Sequence, residues 1–309
     1  MADPARTLNS LLPRCTFPGP DTPVACAFSG GADSTALVAL AHAAGCAVTA
    51  IHVDHGLRAS SSDESAQAAA LAEAIGVNFE LVTVDVAPGP NLEARARAAR
   101  RAALPPGAMT GHTADDQAET MLINLLRGAG TSGLAGIRPG PTKPILALRR
   151  TETRQLCDVL ALTVVEDPTN LDPRFVRNRV RSELLPLLDD IAGRDVRALL
   201  ARAAELLGDD ADLLDELAGT LDPTDAKALA VADPRLARRA LRAWLTEDGY
   251  PPDLATVDRV LDVARGTARA CEIGGGRRVE RKAQQLRIVG LRRVVSNPGM
   301  GSRADGRIL

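Results

Sequence analysis

Between an apolar run, Val24–Phe28, and an alanine-rich helical pattern starting at Asp33 stands the turn Ser29-Gly30-Gly31-Ala32-Asp33-Ser34. The run reads as a short buried strand, and Leu37, Leu40 and Ala41 share one face of the helix that follows. The turn has almost no side-chain bulk. Its N–H groups can approach an anion closely, and the helix N-terminus adds its positive end. Phosphate suits such a place. The common phosphate loop ends in Gly-Lys-Ser/Thr, with the lysine on the terminal phosphates. Here Asp33 stands instead, and a carboxylate beside phosphates fits Mg²⁺, which prefers oxygen ligands. On the hexapeptide alone, a plain strand-to-helix turn capped by Ser or Asp stays open.

The alternation continues along the chain. Cys46–Val53 is a second apolar run, and a helical stretch over 63–75 ends at Gly76, a residue suited to a helix C-cap. "NFELVTVDV" reads as a third strand, and "NLEARARAARRAAL" as a helix stopped by Pro105 and Pro106. "GAMTGH" follows as a short fourth strand, and "TADDQAETMLINLLRG" as a helix ending at Gly128. This order predicts an α/β fold: an open parallel sheet with helices on both faces. Functional groups gather at the carboxyl ends of such strands, where Ser29–Ser34, His52-Val53-Asp54-His55 and Gly111-His112 all fall. Beyond "TKPILALRR" helical patterns take over. A boundary is expected near Ala204–Gly208, giving domains 1–205 and 206–309, the second smaller and mostly helical. β-like pieces at Cys271–Ile273, Arg277–Glu280 and Leu286–Val289 close it.

With 45% apolar residues the 309-residue chain can bury a sizeable core, built of aliphatic side chains because aromatics are only 2%. Five scattered cysteines without a C-x-x-C pair argue for a reducing compartment and against a zinc knuckle, an iron–sulfur site or a disulfide scaffold. No secretory signal and no run of transmembrane length is evident, so a cytoplasmic setting without a membrane partner is expected. The net charge of −2 hides segregation. "NLEARARAARR" and "DPRFVRNRVRS" each carry four arginines against one acid, and "GRRVERKAQQLRIVGLRR" carries seven basic residues against one. Such stripes are compatible with a nucleic-acid partner, although a solvated helix face accounts for any one of them taken singly.

In "GHTADDQAETMLINLLRGAGTSGLAGI", Asp115 and Glu119 are i,i+4, Asp116 and Glu119 are i,i+3, and His112 lies one turn earlier. Acids at a helix start are ordinary dipole partners. That does not explain a His and a Glu continuing the same face beside a phosphate turn. Carboxylates there could orient and deprotonate an ammonium group or hold Mg²⁺. Asp54, His55 and Arg58 are placed to reach the same crevice. Arg177 and Arg181 are i,i+4 with Asn178 and Arg179 between them, suited to clamping ATP phosphates or an RNA backbone, or to an exposed basic face.

Ser29–Ser34 resembles the PP-loop of the N-type ATP pyrophosphatases. The ordered set HVDHGLR, NLEARARAAR, GHTADDQAETMLINLLRGAGTSGLAGI and DPTNLDPRFVRNRVR is similar to the tRNA(Ile)-lysidine synthases, over roughly Val24–Leu188. The resemblance implies ATP and Mg²⁺ as cofactors, and as substrates free L-lysine and the tRNA(Ile) whose anticodon is CAU. It implies adenylation of the wobble cytidine at its C2 oxygen, then attack by the lysine ε-amine with loss of AMP, giving lysidine. It assigns ATP binding to Ser29, Gly30, Gly31, Ala32, Asp33, Ser34 and Asp54, and Mg²⁺ to Asp33 and Asp116. His112, Asp115, Asp116 and Glu119 fall to lysine binding and catalysis, and Arg97, Arg100, Arg177, Asn178 and Arg181 to phosphate or tRNA. It also makes 206–309 a tRNA-binding domain. Arg101 departs from the family pattern, standing where an aromatic usually follows the arginine matching Arg100. The stretch after about Gly208 matches weakly, and the chain is too short for the large extra C-terminal domain of some members. Oligomeric state stays open, a homodimer included. Two other readings are a tRNA-thiolating PP-loop enzyme, which usually needs cysteine pairs, and a non-catalytic nucleotide- or RNA-binding module, which leaves the carboxylates unexplained.

Overall fold

The computed structural model describes residues 3–54, 61–85, 89, 92–165, 172–246 and 251–290. The chain divides into two compact units, Met1–Ala211 and Asp212–Leu309.

In the first unit α1 (Pro4–Leu11) leads to β1 (Pro23–Ala27), α2 (Ala32–Ala43), β2 (Ala47–Asp54), α3 (Ser61–Ile75), β3 (Asn78–Thr83) and α4 (Leu92–Ala103). The strands form a parallel sheet in the order β1-β2-β3, with Cys26 opposite Ala50 and Ala50 opposite Phe79. α2 is apolar nearly all round, and Ser34–Ala41 are all buried, as expected of a helix enclosed by its neighbours. Val24, Cys26, Val48 and Ala50 meet Leu37, Leu40, Leu71, Ile145, Leu148 and Leu156 in one aliphatic core. Gly76 follows α3 at φ +84°, the left-handed cap that glycine adopts without a Cβ penalty.

The expected fourth strand is corrected to a single bridge. Met109 donates to Ala25 O and accepts from Ala27 N, both at 2.8 Å, beside β1 and across it from β2. Pro105 and Pro106, just upstream, have no N–H to offer a ladder, and Thr110 N–H donates to Thr142 O instead of to β1. The lateral order is therefore β3-β2-β1 and then Met109. The chain reverses direction across the sheet at β1, the kind of switch point where α/β sheets bind ligands.

Then follow α5 (Ala114–Leu126), α6 (Thr131–Leu134), α7 (Arg150–Val159), α8 (Val176–Arg179), a π-helical turn Val180–Leu184, α9 (Leu185–Ala192) and α10 (Arg197–Gly219). α5 opens with a capping box between Thr113 and Asp116. The wide turn has a cause in the sequence. Pro186 has no N–H to return to the Ser182 carbonyl, and its ring crowds that carbonyl, so the turn before it loosens to Leu185 N–H→Val180 O.

In the second unit α11 (Ala226–Val231), α12 (Pro234–Leu245) and α13 (Leu254–Arg265) precede β4 (Ala270–Gly274), β5 (Arg277–Lys282) and β6 (Gln285–Gly290). The β-like pieces pair as an antiparallel meander. Leu229, Leu241, Leu261, Val279 and Leu286 form the core, and Asp225, Asp233 and Asp253 cap the three helices.

Candidate active site

The turn after β1 needs its glycines. Gly30 sits at φ +77°, and Gly31 is the N-cap of α2 with no side chain capping that end. The Ser34 hydroxyl donates to Gly31 O at 2.9 Å and accepts from Ser29 N–H at 3.2 Å, closing the turn. The Ser29 hydroxyl lies 3.1 Å from that of Ser34 and accepts from Gly31 N–H at 3.4 Å. Thr35 Oγ1 and Val165 N–H both donate to Gly30 O, at 3.2 and 2.9 Å. The turn is thus held from behind while the first N–H groups of α2 remain uncapped, the arrangement that accepts a phosphate. Gly111 makes the neighbouring segment fit. A Cβ there would lie 2.6 Å from Asp33 O and 3.0 Å from Ser34 N, so two backbones touch where only glycine can stand.

The carboxylates expected from the sequence do gather, but they are not bare. Arg150, the first residue of α7, reaches Asp33 Oδ2 at 3.3 Å, Asp116 Oδ1 at 2.9 Å and Glu119 Oε1 at 2.8 Å. Glu119 is fully buried and also pairs with Arg177 at 3.3 Å and Arg181 at 2.7 Å. Arg177 stands on α8 and Arg181 in the π-helical turn that follows it, and Arg177 also donates to Thr120 Oγ1 at 2.7 Å. Asp115 turns the other way. It accepts from Arg149 Nε and from the Arg150 backbone N–H, each at 2.9 Å, and pairs with Arg197 at 3.5 Å. Arg149 and Arg197 each continue to Asp195, and Arg197 also to Asp189. Of Asp33, Asp115, Asp116 and Glu119, only Asp33 and Asp116 keep appreciable side-chain exposure, 24% and 13%.

The electrostatics follow. Burial pushes the Asp33 pKa up, and the Thr153 hydroxyl, which donates at 2.5 Å, and the shared Arg150 do not fully offset it. Burial also acts on Asp115. There the Arg149 hydrogen bond and charge and the Arg150 N–H outweigh it and hold the carboxyl below the usual aspartate range. Burial opposes the Arg150 charge, but Asp116, Glu119 and Asp33 together raise its pKa above the ordinary arginine value. One guanidinium divided among three carboxylates strengthens itself more than it compensates Asp33.

Among the described residues no three His, Cys, Asp or Glu side chains converge as a metal cage. Asp33 and Asp116 suit Mg²⁺ in another way, since that ion commonly takes one or two carboxylates and completes its shell with phosphate oxygens and water. The cysteines are all free, and burial pushes Cys26 and Cys157 up to about 12 and Cys15 up to about 11, far from a reactive thiolate.

Residues 5–188 match the PP-loop domain family. A tRNA(Ile)-lysidine synthase of Nocardia farcinica is 42% identical, over 84% of this chain and 88% of that one. One of Rhodococcus opacus is 41% identical over 83% and 85%. The chain belongs to the tRNA(Ile)-lysidine synthase family. As a lysidine synthase family member it is an ATP-using ligase of the PP-loop type. Among solved structures, the U34-tRNA thiolase NcsA of Methanococcus maripaludis overlays with a TM-score of 0.48 at 18% identity, over 67% of this chain and 78% of that one.

In this synthase the remaining expected residues are dispersed. Asp54 closes β2, half-buried. His52, earlier on that strand, is buried with Nδ1 2.9 Å from Phe28 O and its ring 6.4 Å from that of Phe79, so it serves the sheet. His112 Nδ1 lies 2.7 Å from Thr110 Oγ1. Asn178 is buried and donates to Asp172 O at 2.9 Å, fastening the chain before α8. Arg100 is exposed on α4 and does not join the cluster. His55, Arg58 and residues 166–171 lie outside the described residues, as does the side chain of Arg97. Sequence reasoning missed Arg149, Arg150 and Arg197. A signal existed: Arg149 and Arg150 open a helix, the end that disfavours cations, so they require acidic partners from elsewhere. No membrane-spanning helix occurs among the described residues.

Proposed function

We propose that this ligase joins the ε-amine of free L-lysine to C2 of the wobble cytidine of tRNA(Ile) bearing the CAU anticodon, in the cytoplasm. The observation that carries the reading is the meeting of Asp33, Asp116 and Glu119 on one guanidinium beside the uncapped start of α2, in a chain of this family. In the first half-reaction the cytidine C2 oxygen attacks the α-phosphorus of ATP and pyrophosphate leaves. The uncapped N–H groups at the start of α2 receive the phosphates, with Ser29, Gly30, Gly31, Ala32 and Ser34 shaping the turn, and Asp54 borders the nucleotide. Asp33 would hold Mg²⁺, whose charge would neutralise the phosphates, and this leaves Asp116 to the amine. In the second half-reaction the amine attacks C2, and AMP leaves with the former C2 oxygen. A lysine amine is an ammonium at neutral pH and must lose a proton first. Asp116, with His112 nearby in sequence, takes that task.

Asp115 and Glu119 act differently from the sequence expectation in this reading. Both are buried among arginines, so they hold Arg149, Arg150, Arg177 and Arg181 in place rather than exchange protons. Asn178 positions the helix that carries Arg177 and Arg181. Arg97 and Arg100 and the smaller unit bind tRNA backbone, and the wobble base leaves its stack to reach the turn and the carboxylates beside it. ATP–pyrophosphate exchange and transfer of labelled lysine to tRNA transcripts with cytidine or uridine at the wobble position test the reading. Transfer only to cytidine is expected, and active exchange without lysine transfer overturns it. Thiolation is disfavoured by the buried, high-pKa cysteines described above.

A further inference from the structure

Arg150 occupies the oxygens that a cationic substrate would need. Its Nε, Nη2 and Nη1 point at Asp33 Oδ2, Asp116 Oδ1 and Glu119 Oε1, on α2 and α5. Its backbone N–H is taken by Asp115, so the main chain is anchored while the side chain alone faces the cluster. The cluster holds it against two costs: its side chain is three-quarters buried, at 25% exposure, and it stands at the cation-disfavouring end of α7. Asp33 and Asp116 cannot give the same lone pairs to Arg150 and to an ammonium or metal ion. The uncapped start of α2, whose first turn carries Asp33, is where a polyanion would lie. A guanidinium matches phosphate as well as it matches carboxylate.

We propose that Arg150 is an internal stand-in for the substrate ammonium: it fills the carboxylate site in the empty enzyme and transfers to the ATP phosphates when nucleotide binds, so that lysine binding requires nucleotide. The inference rests on the lysine-ligating reading above. No covalent step is involved. Arg150 leaves both carboxylates for a polyanion, after which Asp116 is open to the lysine ammonium and Asp33 to the Mg²⁺ it would hold. Because the coupling is thermodynamic it is reciprocal, and lysine must tighten nucleotide binding by the same factor.

Calorimetry on the full-length protein tests this, with L-lysine titrated in the absence and presence of Mg²⁺ and α,β-methylene-ATP. Wild type is expected to bind lysine at least about tenfold more tightly with the nucleotide, and the analogue more tightly by the same factor with saturating lysine, within the usual range of coupling. In Arg150→Gln, lysine binding should no longer need nucleotide, the coupling should fall below about threefold, and the analogue should bind about tenfold or more weakly. Arg150→Lys should keep part of the coupling. A fixed strut would give a different result: nucleotide-independent lysine binding in wild type, or coupling unchanged in Arg150→Gln, overturns the proposal. If Arg150→Gln does not fold, the reciprocal wild-type titrations decide alone. Labelled-lysine transfer by wild type separates the two failures: transfer without coupling removes only the role of Arg150, whereas no transfer by an ATP-binding protein removes the reading beneath it.

Discussion

Glu119 and Asp233 both hold arginine, and they could hardly be less alike. Glu119 is fully buried and meets Arg150, Arg177 and Arg181, drawn from α7, α8 and the π-helical turn. Asp233 is exposed and meets Arg235, two residues away, at the start of α12. Around Glu119 ion pairs bind distant segments where water is scarce, and removing one partner strands the others. In the second unit the pairs keep one or both partners in water, whether local as here or joining helices as Arg238–Asp258 and Arg239–Asp215 do, and the aliphatic core of Leu229, Leu241, Leu261 and Leu286 supplies the cohesion. Charge organises a site in one unit and decorates a surface in the other.

Mutations can break that contrast. The largest effect is expected for Glu119→Ala, which leaves three arginines without their buried counter-charge and should cost about 3–5 kcal/mol in chemical denaturation, with loss of ATP–pyrophosphate exchange. A loss no greater than that of a surface pair would erase the distinction. Gly111→Ala comes next. The new Cβ meets Asp33 O at 2.6 Å and must displace backbone, costing about 1–3 kcal/mol and weakening nucleotide binding in a calorimetric titration.

Acid sharpens the comparison. Asp115 titrates below the ordinary aspartate range, so its contribution is complete above about pH 4 and is lost as pH falls through its folded value. Asp33 is shifted upward and works in the opposite sense: protonating it as pH falls relieves the cost of burial. Asp115→Asn should therefore flatten the acid limb of the stability curve below about pH 4. In the second unit, Ala283 and Gln284 make the β5–β6 turn at φ +49° and +65° without a glycine. Ala283→Asn should stabilise that unit by about 0.5–1 kcal/mol, read as a raised denaturation midpoint. The smallest effect belongs to Arg235→Ala, whose exposed pair with Asp233 should leave the midpoint unchanged.

The legible part of this molecule was local. Gly30, Gly31 and Ser34 wrote the turn, because bulk and positive φ are properties of single residues. The helix of α5 and the three β-like pieces at the end were legible too, whereas the Thr113–Asp116 capping box and the pairing of those pieces came only with the structure. The gathering of Asp33, Asp116 and Glu119 could be read because helix spacing and the rule for strand ends need no knowledge of neighbours. What neutralises them could not be read. Arg150 lies 117 residues from Asp33 along the chain, and no periodicity joins the two. The same limit applied to Asp115. Its place in the helix was clear, but which way its carboxylate turned depended on Arg149 and Arg197. The fourth strand failed for a subtler reason. Its apolar residues were suitable, but the donors beside Pro105 and Pro106 were missing and Thr142 claimed Thr110.

The central claim is that the bare turn before α2 and the carboxylates beside it transfer lysine to a cytidine. Mass spectrometry of the wobble nucleoside tests it most directly, after incubating the enzyme with ATP, Mg²⁺, lysine and a CAU-bearing tRNA(Ile) transcript. The account predicts a cytidine carrying one lysine, absent when Asp33→Ala replaces the wild type. An unchanged cytidine despite ATP cleavage, or a nucleoside containing sulfur, would contradict it.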